Sequence, residues 1–350
     1  MKEGYKLLGE FIRQVDIRNT EGKEDNLLGV SVQKQFIPSI ANTVGTDFTK
    51  YKVVKKGQFT YIPDTSRRGD KIGIALLQDY EEGLVSNVYT VFEVIDTEKL
   101  LPEYLMLWFS RPEFDRYARF KSHGSVREVM DWDEMCKVEL PVPAIEEQRN
   151  IVKAYKAITD RIALKKQIND NLEAMLTAVF IDEFSAKETA ERSKLSELIS
   201  FGNGKSRPKT DGTIPVYGGN GVLSYTDQHN IENAILIGRV GAYCGSVYLE
   251  QGICWVSDNA IYAKSKVSKY EFFDYFLLKG LNLFNHHVGT GQQLLTQEIL
   301  NNIEVAKPDI TQVEAFNQKA KAVFETISAN KNEIARLQEL SDLLLSRLAG

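Results

Sequence analysis

The stretch Gly124-Ser125-Val126-Arg127-Glu128-Val129-Met130-Asp131-Trp132-Asp133-Glu134-Met135-Cys136-Lys137-Val138-Glu139-Leu140-Pro141-Val142-Pro143 returns 165 positions later, without a gap, as Gly289-Thr290 through Pro308. Val129-Met130 falls on Leu294-Leu295, Asp133 on Glu298, Val138-Glu139-Leu140 on Ile303-Glu304-Val305, and Pro143 on Pro308. The register continues past the prolines: Ile158 meets Val323, Ile162 meets Ile327, Leu172 meets Leu337, Met175 meets Leu340 and Val179 meets Leu344. A weaker match joins the starts of the two halves, Lys6–Phe11 with Ser193–Leu198. A fixed period of this length marks a duplicated structural unit.

Working outward, each half runs as a globular domain, then a proline, then a long helix. The first helix is expected over 146–184, with Glu146 and Glu147 at its positive end. Its apolar stripe is Ile151, Tyr155, Ile158, Ile162, Leu172, Leu176 and Val179, interrupted by Lys165 and Asn169. The second is expected over 311–350, with Phe316, Ala320, Val323, Ile327, Ile334, Leu337, Leu344 and Leu348, broken by Asn330 and Ser341. A stripe repeating every seven residues makes a narrow coiled-coil seam, and two such helices in one duplicated chain pair antiparallel. Lys165, Asn169 and Asn330 either fix the register of that seam or sit solvated beside it.

The globular parts, 1–145 and 193–310, read as mixed and β-rich, with 185–192 a polar linker. Short β-branched or aromatic runs bounded by turn residues mark strands at 52–54, 59–62, 72–77, 88–94, 234–237, 246–249 and 260–263. Helices follow at 102–110, 112–119 and 269–283. The fold class is therefore α+β: two mixed β-rich domains separated by two long antiparallel coiled-coil helices, with a pseudo-twofold internal repeat.

Bulk properties agree. A chain of 350 residues exceeds one ordinary core. Hydrophobic content of 43% and charged content of 26% are those of a globular protein. No apolar run reaches the ~18 residues that span a bilayer, and Met1–Tyr5 lacks the apolar stretch of a signal peptide, so a cytoplasmic protein without a membrane partner is expected. Cys136, Cys244 and Cys254 have no metal-ligand spacing and read as reduced thiols. A net charge of −5 speaks by itself against nucleic acid. The local distribution speaks otherwise: residues 50–71 hold Lys50, Lys52, Lys55, Lys56, Arg67, Arg68 and Lys71 against Asp64 and Asp70, and Lys205, Arg207 and Lys209 form a second cluster. Each cluster is either a solvated face or an electrostatic footprint.

Catalytic motifs fail on inspection. Gly202-Asn203-Gly204-Lys205-Ser206 lacks the earlier glycine of a phosphate loop, Ile199 standing there. Gly238-Arg239-Val240-Gly241 lacks dinucleotide-site spacing. There is no Pro-Pro pair for an amino-methyltransferase motif. Asp16, Glu21 and Lys23 meet only the loosest nuclease pattern, and His123, His229, His286 and His287 have no evident partner set. What remains suits a binder: Gly-rich segments with polar, aromatic and cationic neighbours at 217–221, 238–243 and 289–293, and in the first half at 66–71 and 122–127. Glycine admits close backbone approach, Arg and Lys read guanine, and Asn and Gln read adenine. Singly, each segment also reads as a plain turn.

Pro143-Ala144-Ile145-Glu146-Glu147-Gln148-Arg149-Asn150-Ile151-Val152, continuing to Ile168–Met175, resembles the central conserved region of type I restriction-modification specificity subunits. Tyr217-Gly218-Gly219-Asn220-Gly221 and Ile237–Gly241 resemble segments of their target-recognition domains. The resemblance spans essentially the whole chain, but Thr311-Gln312-Val313-Glu314 replaces Glu146-Glu147-Gln148-Arg149 in the second copy. It implies that each domain reads one half of a split, asymmetric target in double-stranded DNA, and that the helices set the unread spacer. It also implies a chain with no catalytic centre, no metal and no cofactor of its own. Two methyltransferase subunits would bring S-adenosylmethionine, and two restriction subunits would bring ATP and magnesium.

Helical rise supports a ruler: 39 residues span ~58 Å, between one and two duplex turns of ~34 Å. Lys50, Lys52, Lys55 and Lys56 are assigned to phosphates. Arg67, Arg68, Arg127, Lys205, Arg207, Asn220, Arg239 and Gln292 are assigned to base-proximal work, with Tyr217 and Tyr243 as further DNA-binding candidates. The rival reading is a coiled-coil scaffold presenting two protein-binding domains, which salt-dependent, sequence-selective DNA binding would exclude. A stand-alone enzyme ranks third, for want of motifs.

Overall fold

The computed structural model describes residues 4–40, 43–65, 71–122, 128–184, 191–267, 269–289 and 291–348. Two compact units emerge: residues 1–164 with 333–350, and residues 165–332. This division differs from the five segments expected, because each unit takes a globular part together with one half of each long helix. Those helices run Ile145–Phe184 and Ile310–Arg347, and strand Arg192–Lys194 begins inside the expected linker.

In the first unit a four-stranded antiparallel sheet has the order Ile12–Val15, Thr90–Val94, Phe59–Tyr61, Ile74–Leu76. Side chains alternate across a strand, so Phe92 and Val94 enter one core while Val91 enters another. The larger core stacks Phe59 on Phe92 at 4.8 Å and packs both against Phe109 of helix Pro102–Phe109. Each buried ring of this size contributes roughly 1.5–3 kcal/mol. Helix Pro112–Lys121 follows. A separate three-stranded sheet joins Ile17–Arg18, Lys52–Lys55 and Glu82–Val85.

The second unit repeats the order. Ile199–Asn203, Ala260–Ser265, Ile231–Gly238 and Val247–Val256 stand where the first four strands stood, and a hairpin Ile214–Gly218/Gly221–Thr226 extends the sheet to six. Alternation again divides the strand: Ile235 and Ile237 enter one core, Ala234 and Leu236 the other. Sequence reading did not anticipate this hairpin, whose strands carry polar and glycine residues at several positions.

The duplication is visible bond by bond. Tyr5–Leu7 pairs with Glu139–Pro141, as Arg192–Lys194 pairs with Glu304–Ala306. Leu8 N–H donates to Val138 O at 2.8 Å and Leu195 N–H to Ile303 O at 2.9 Å. Asp131 accepts from Glu134 N–H to cap one short helix, and Thr296 accepts from Ile299 N–H to cap its counterpart; the cap chemistry is kept though the residue changes.

Within each unit the long helices lie antiparallel. In the first, Arg161 pairs with Glu333, and Leu345 and Leu348 share a core with Ile151, Val152 and Tyr155. In the second, Lys165 Nζ donates to Asn330 Oδ1 at 2.8 Å, Asn330 Nδ2 donates to Asn169 Oδ1 at 2.8 Å, and Lys319 meets Glu183 at 2.7 Å. Lys165 and Asn330 occupy the same position of the repeat, and they face each other. The three polar residues are a bonded seam cluster rather than solvated breaks. The buried stripe is also wider than a coiled-coil seam. Phe180 and Phe316 join Phe273 and Phe276 in an aromatic cluster, so half of each helix is globular core.

A buried amide ties each helix to its domain. Gln148 is fully buried. It accepts from Leu101 N–H at 2.9 Å and donates to Lys99 O and Pro143 O. In the second copy its repeat position holds Val313, and the task moves one turn along to Asn317. Asn317 accepts from Phe272 and Phe273 N–H and donates to Val313 O. Both amides thus satisfy free N–H groups at the start of a domain helix. Gln148→Ala is expected to cost about 2–3 kcal/mol, since buried groups lose their partners. Urea unfolding checks this, and an unchanged midpoint would show that water takes over the bonds.

Candidate nucleic-acid interface

At one end of the second unit's sheet, loops far apart in the chain converge. Glycine decides one of the contacts: a Cβ on Gly238 would lie 2.1 Å from Tyr243 O, whereas one on Gly219 would make ordinary contact with Val240 O, Asn259 O and Tyr243 Cβ. Ser246 Oγ donates to Gly219 O at 2.5 Å. Arg239 N–H donates to Asn259 O, and Lys205 N–H to Val256 O. Segments 203–207, 217–221, 238–246, 257–260, 288–289 and 291–295 therefore form one surface, exposing Lys205, Arg207, Asn220, Tyr243, Asp258, Asn259 and Gln292.

Three contacts anchor the last of these loops. Leu295 N–H donates to Arg239 O at 2.9 Å, Gly241 N–H donates to Gln293 O at 3.0 Å, and Val240 bridges Leu294. The first unit has the same three at repeat-equivalent positions: Met130 N–H to Pro63 O at 3.0 Å, Thr65 N–H to Glu128 O at 3.0 Å, and Asp64 bridging Val129. Thr65 Oγ also donates to Ser122 Oγ at 2.9 Å. Thr65 and Ser122 are thus held side by side. Arg67, Arg68 and Arg127, expected near bases, lie outside the described residues.

The other expected residues divide. Lys205, Arg207, Asn220, Tyr243 and Gln292 are brought together and exposed. Arg239 belongs to the same surface but is half-buried, its Nη1 donating to Asp258 O at 3.4 Å. Tyr217 is half-buried and held from within. Its hydroxyl donates to Glu250 at 2.8 Å and its ring packs on Tyr248, and burial with the neighbouring carboxylate pushes its ionisation well above the usual range. It supports the sheet. Lys52 is half-buried too: Nζ donates to Tyr89 O at 2.7 Å, and burial lowers its pKa. Lys50, Lys55 and Lys56 are exposed. Lys50 and Lys56 pair with Asp47 and Glu81, surface pairs worth at most about 1 kcal/mol and easily exchanged. All four lysines lie on or beside the three-stranded sheet, apart from the loop bases at 63–65 and 128–130.

Catalytic alternatives do not assemble. Asp16 pairs with Arg18, and Glu21 pairs with Lys23 at 3.1 Å, which splits the nuclease-like triplet. The N–H groups of Gly204 and Lys205 are taken by Ala260 O and Val256 O and are not offered to a phosphate. Among the described residues no group of three or more His, Cys, Asp or Glu is placed to hold a metal ion. Cys244 and Cys254 are buried free thiols, and burial pushes Cys254 up to about 12. No described helix is long and apolar enough to cross a membrane.

Comparison with known proteins decides the family. The model for the type I restriction modification DNA specificity domain matches residues 11–174 and again residues 187–342. This chain belongs to the type I restriction-modification specificity family. It is a DNA-recognition chain, not a catalytic one, and the two matches coincide with the two copies of the repeat. Similar curated proteins include the MjaIX specificity subunit of Methanocaldococcus jannaschii, 21% identical over 73% of this chain and 70% of that one. The HindI specificity subunit of Haemophilus influenzae is 28% identical over 37% of this chain and 28% of its own length. Among solved structures, the type I S subunit from M. genitalium shares the fold with a TM-score of 0.63 at 15% identity, over 99% of this chain and 96% of that one.

Neither amide tie nor Asp258 was found by sequence reading. The Glu146–Arg149 run hinted at Gln148, but an isolated Asn317 or Asp258 has no local pattern around it.

Proposed function

We propose that each unit reads one half of a bipartite duplex target through its strand-end loops, and that the two long helices set the spacer and dock two methyltransferase subunits. Two restriction subunits complete the assembly. S-adenosylmethionine, ATP and magnesium reside on those partners.

The observation that carries this reading is the repeated loop anchor, 63–65 with 128–130 and 239–241 with 293–295. Two copies of one device present loops of different sequence, which suits two different half-sites. Lys205 and Arg207 supply phosphate attraction beside the base-reading groups Asn220, Arg239 and Gln292.

Binding to a library of duplexes randomised in both half-sites, measured on the assembled complex, tests it. Arg239→Ala is expected to relax selection in one half-site by on the order of tenfold and leave the other unchanged. Lys50→Ala should weaken every sequence alike and reduce the slope against salt by about one. Equal relaxation of both half-sites by Arg239→Ala would end the modular assignment.

A further inference from the structure

We infer that Asp258 determines specificity by accepting a hydrogen bond from an exocyclic amino group of cytosine or adenine, an inference that rests on the DNA-reading surface proposed above. Asp258 is the second residue of the turn closed by Ala260 N–H to Ser257 O at 3.0 Å, between strands Val247–Val256 and Ala260–Ser265. The turn lies in the middle of the surface, with Asn259 O beside Gly219 and Arg239 N–H, and Lys205 on the neighbouring segment. The Asp258 side chain is exposed, and its carboxylate makes no hydrogen bond or ion pair among the described residues. The Arg239 guanidinium meets the Asp258 backbone oxygen rather than the carboxylate.

A free carboxylate here works against affinity, because it repels phosphate. Its usefulness lies in what it accepts. An ionised carboxylate is acceptor-only. In the major groove it meets a donor at N4 of cytosine or N6 of adenine, but an opposing lone pair at O6 of guanine or O4 of thymine. One side chain thus divides the bases into amino and keto classes at a single position, chiefly by rejection. The base selected tells cytosine from adenine as the donor.

The test compares wild type, Asp258→Asn and Asp258→Glu in the assembled complex, selecting from the same randomised duplexes, with unrelated duplex as a control. Wild type should enrich cytosine or adenine at one strand position of one half-site. Asp258→Asn, whose amide both donates and accepts, should lose that preference by on the order of tenfold, with every other position unchanged. It should also bind unrelated duplex more tightly, and Asp258→Glu should keep part of the amino preference. Unchanged selection by Asp258→Asn would overturn the inference, as would weakening of all sequences alike, which marks a purely structural turn. In either case the selectivity of the wild type leaves the DNA-reading role standing. A wild-type complex with no sequence preference would remove both.

Discussion

Lys34→Met is expected to lower the free energy of unfolding by about 3–5 kcal/mol, because it strands a buried carboxylate. Lys34 Nζ lies 2.6 Å from Asp115 Oδ1, and both side chains are nearly inaccessible, at 8% and 12%. Asp115 Oδ1 also accepts from Ile72 N–H at 3.2 Å. Lys34 Nζ stands 5.5 Å from the centre of the Phe114 ring. Burial lowers the Lys34 pKa even against the opposing charge, so desolvation is the larger influence on this group. That balance fixes the rest of the prediction. Removing one partner is costly, whereas Lys34→Met with Asp115→Leu should regain most of the loss, since apolar groups of similar size avoid the desolvation of both charges. Urea melts of the two variants check it. A loss below about 1 kcal/mol in the single variant would show that water reaches the pair.

The second large effect concerns pH. Asp274 lies in the first turn of helix Glu271–Gly280 and is fully buried. Neither carboxylate oxygen has a partner in bonding geometry. Burial raises its pKa to about 7; the Ser265 hydroxyl beside it pulls the other way, and Glu271 adds like charge. The helix N-terminus favours the anion by only about 0.3–1 kcal/mol, which burial outweighs. A carboxyl that holds its proton more tightly when folded makes stability fall as pH rises from about 4, its unfolded value, to about 7. Above that the loss is complete, at about 4 kcal/mol. Asp274→Asn carries no such charge. Its stability relative to wild type should be near level at pH 4 and should rise by roughly that amount at pH 8. Melts across this range decide it, and parallel pH profiles for the two proteins would show that the carboxylate is relieved in some other way.

Much of this architecture was legible before any coordinates. The gapless repeat, the two helices, their apolar stripes and most strands are local or periodic features, and a pattern in a short window suffices to see them. The polar residues Lys165, Asn169 and Asn330 stood out because they interrupt such a pattern. Tyr217 and Asn220 differ in exposure, which their shared local sequence does not show. Both sit in one Gly-rich segment, but the tyrosine hydroxyl is held by Glu250, 33 residues away.

The residues alone determined that this chain is a duplicated specificity protein with long paired helices, since repetition and period are written along the chain. Only the tertiary structure decided which loops meet, that Asn317 takes over one turn later the task of Gln148, that Lys34 pairs with a residue 81 positions away, and that Asp258 shares a surface with Arg239 and Lys205. The physical reason is that each of these depends on burial and on partners brought in from distant segments, and no local window of sequence contains both halves of such a contact.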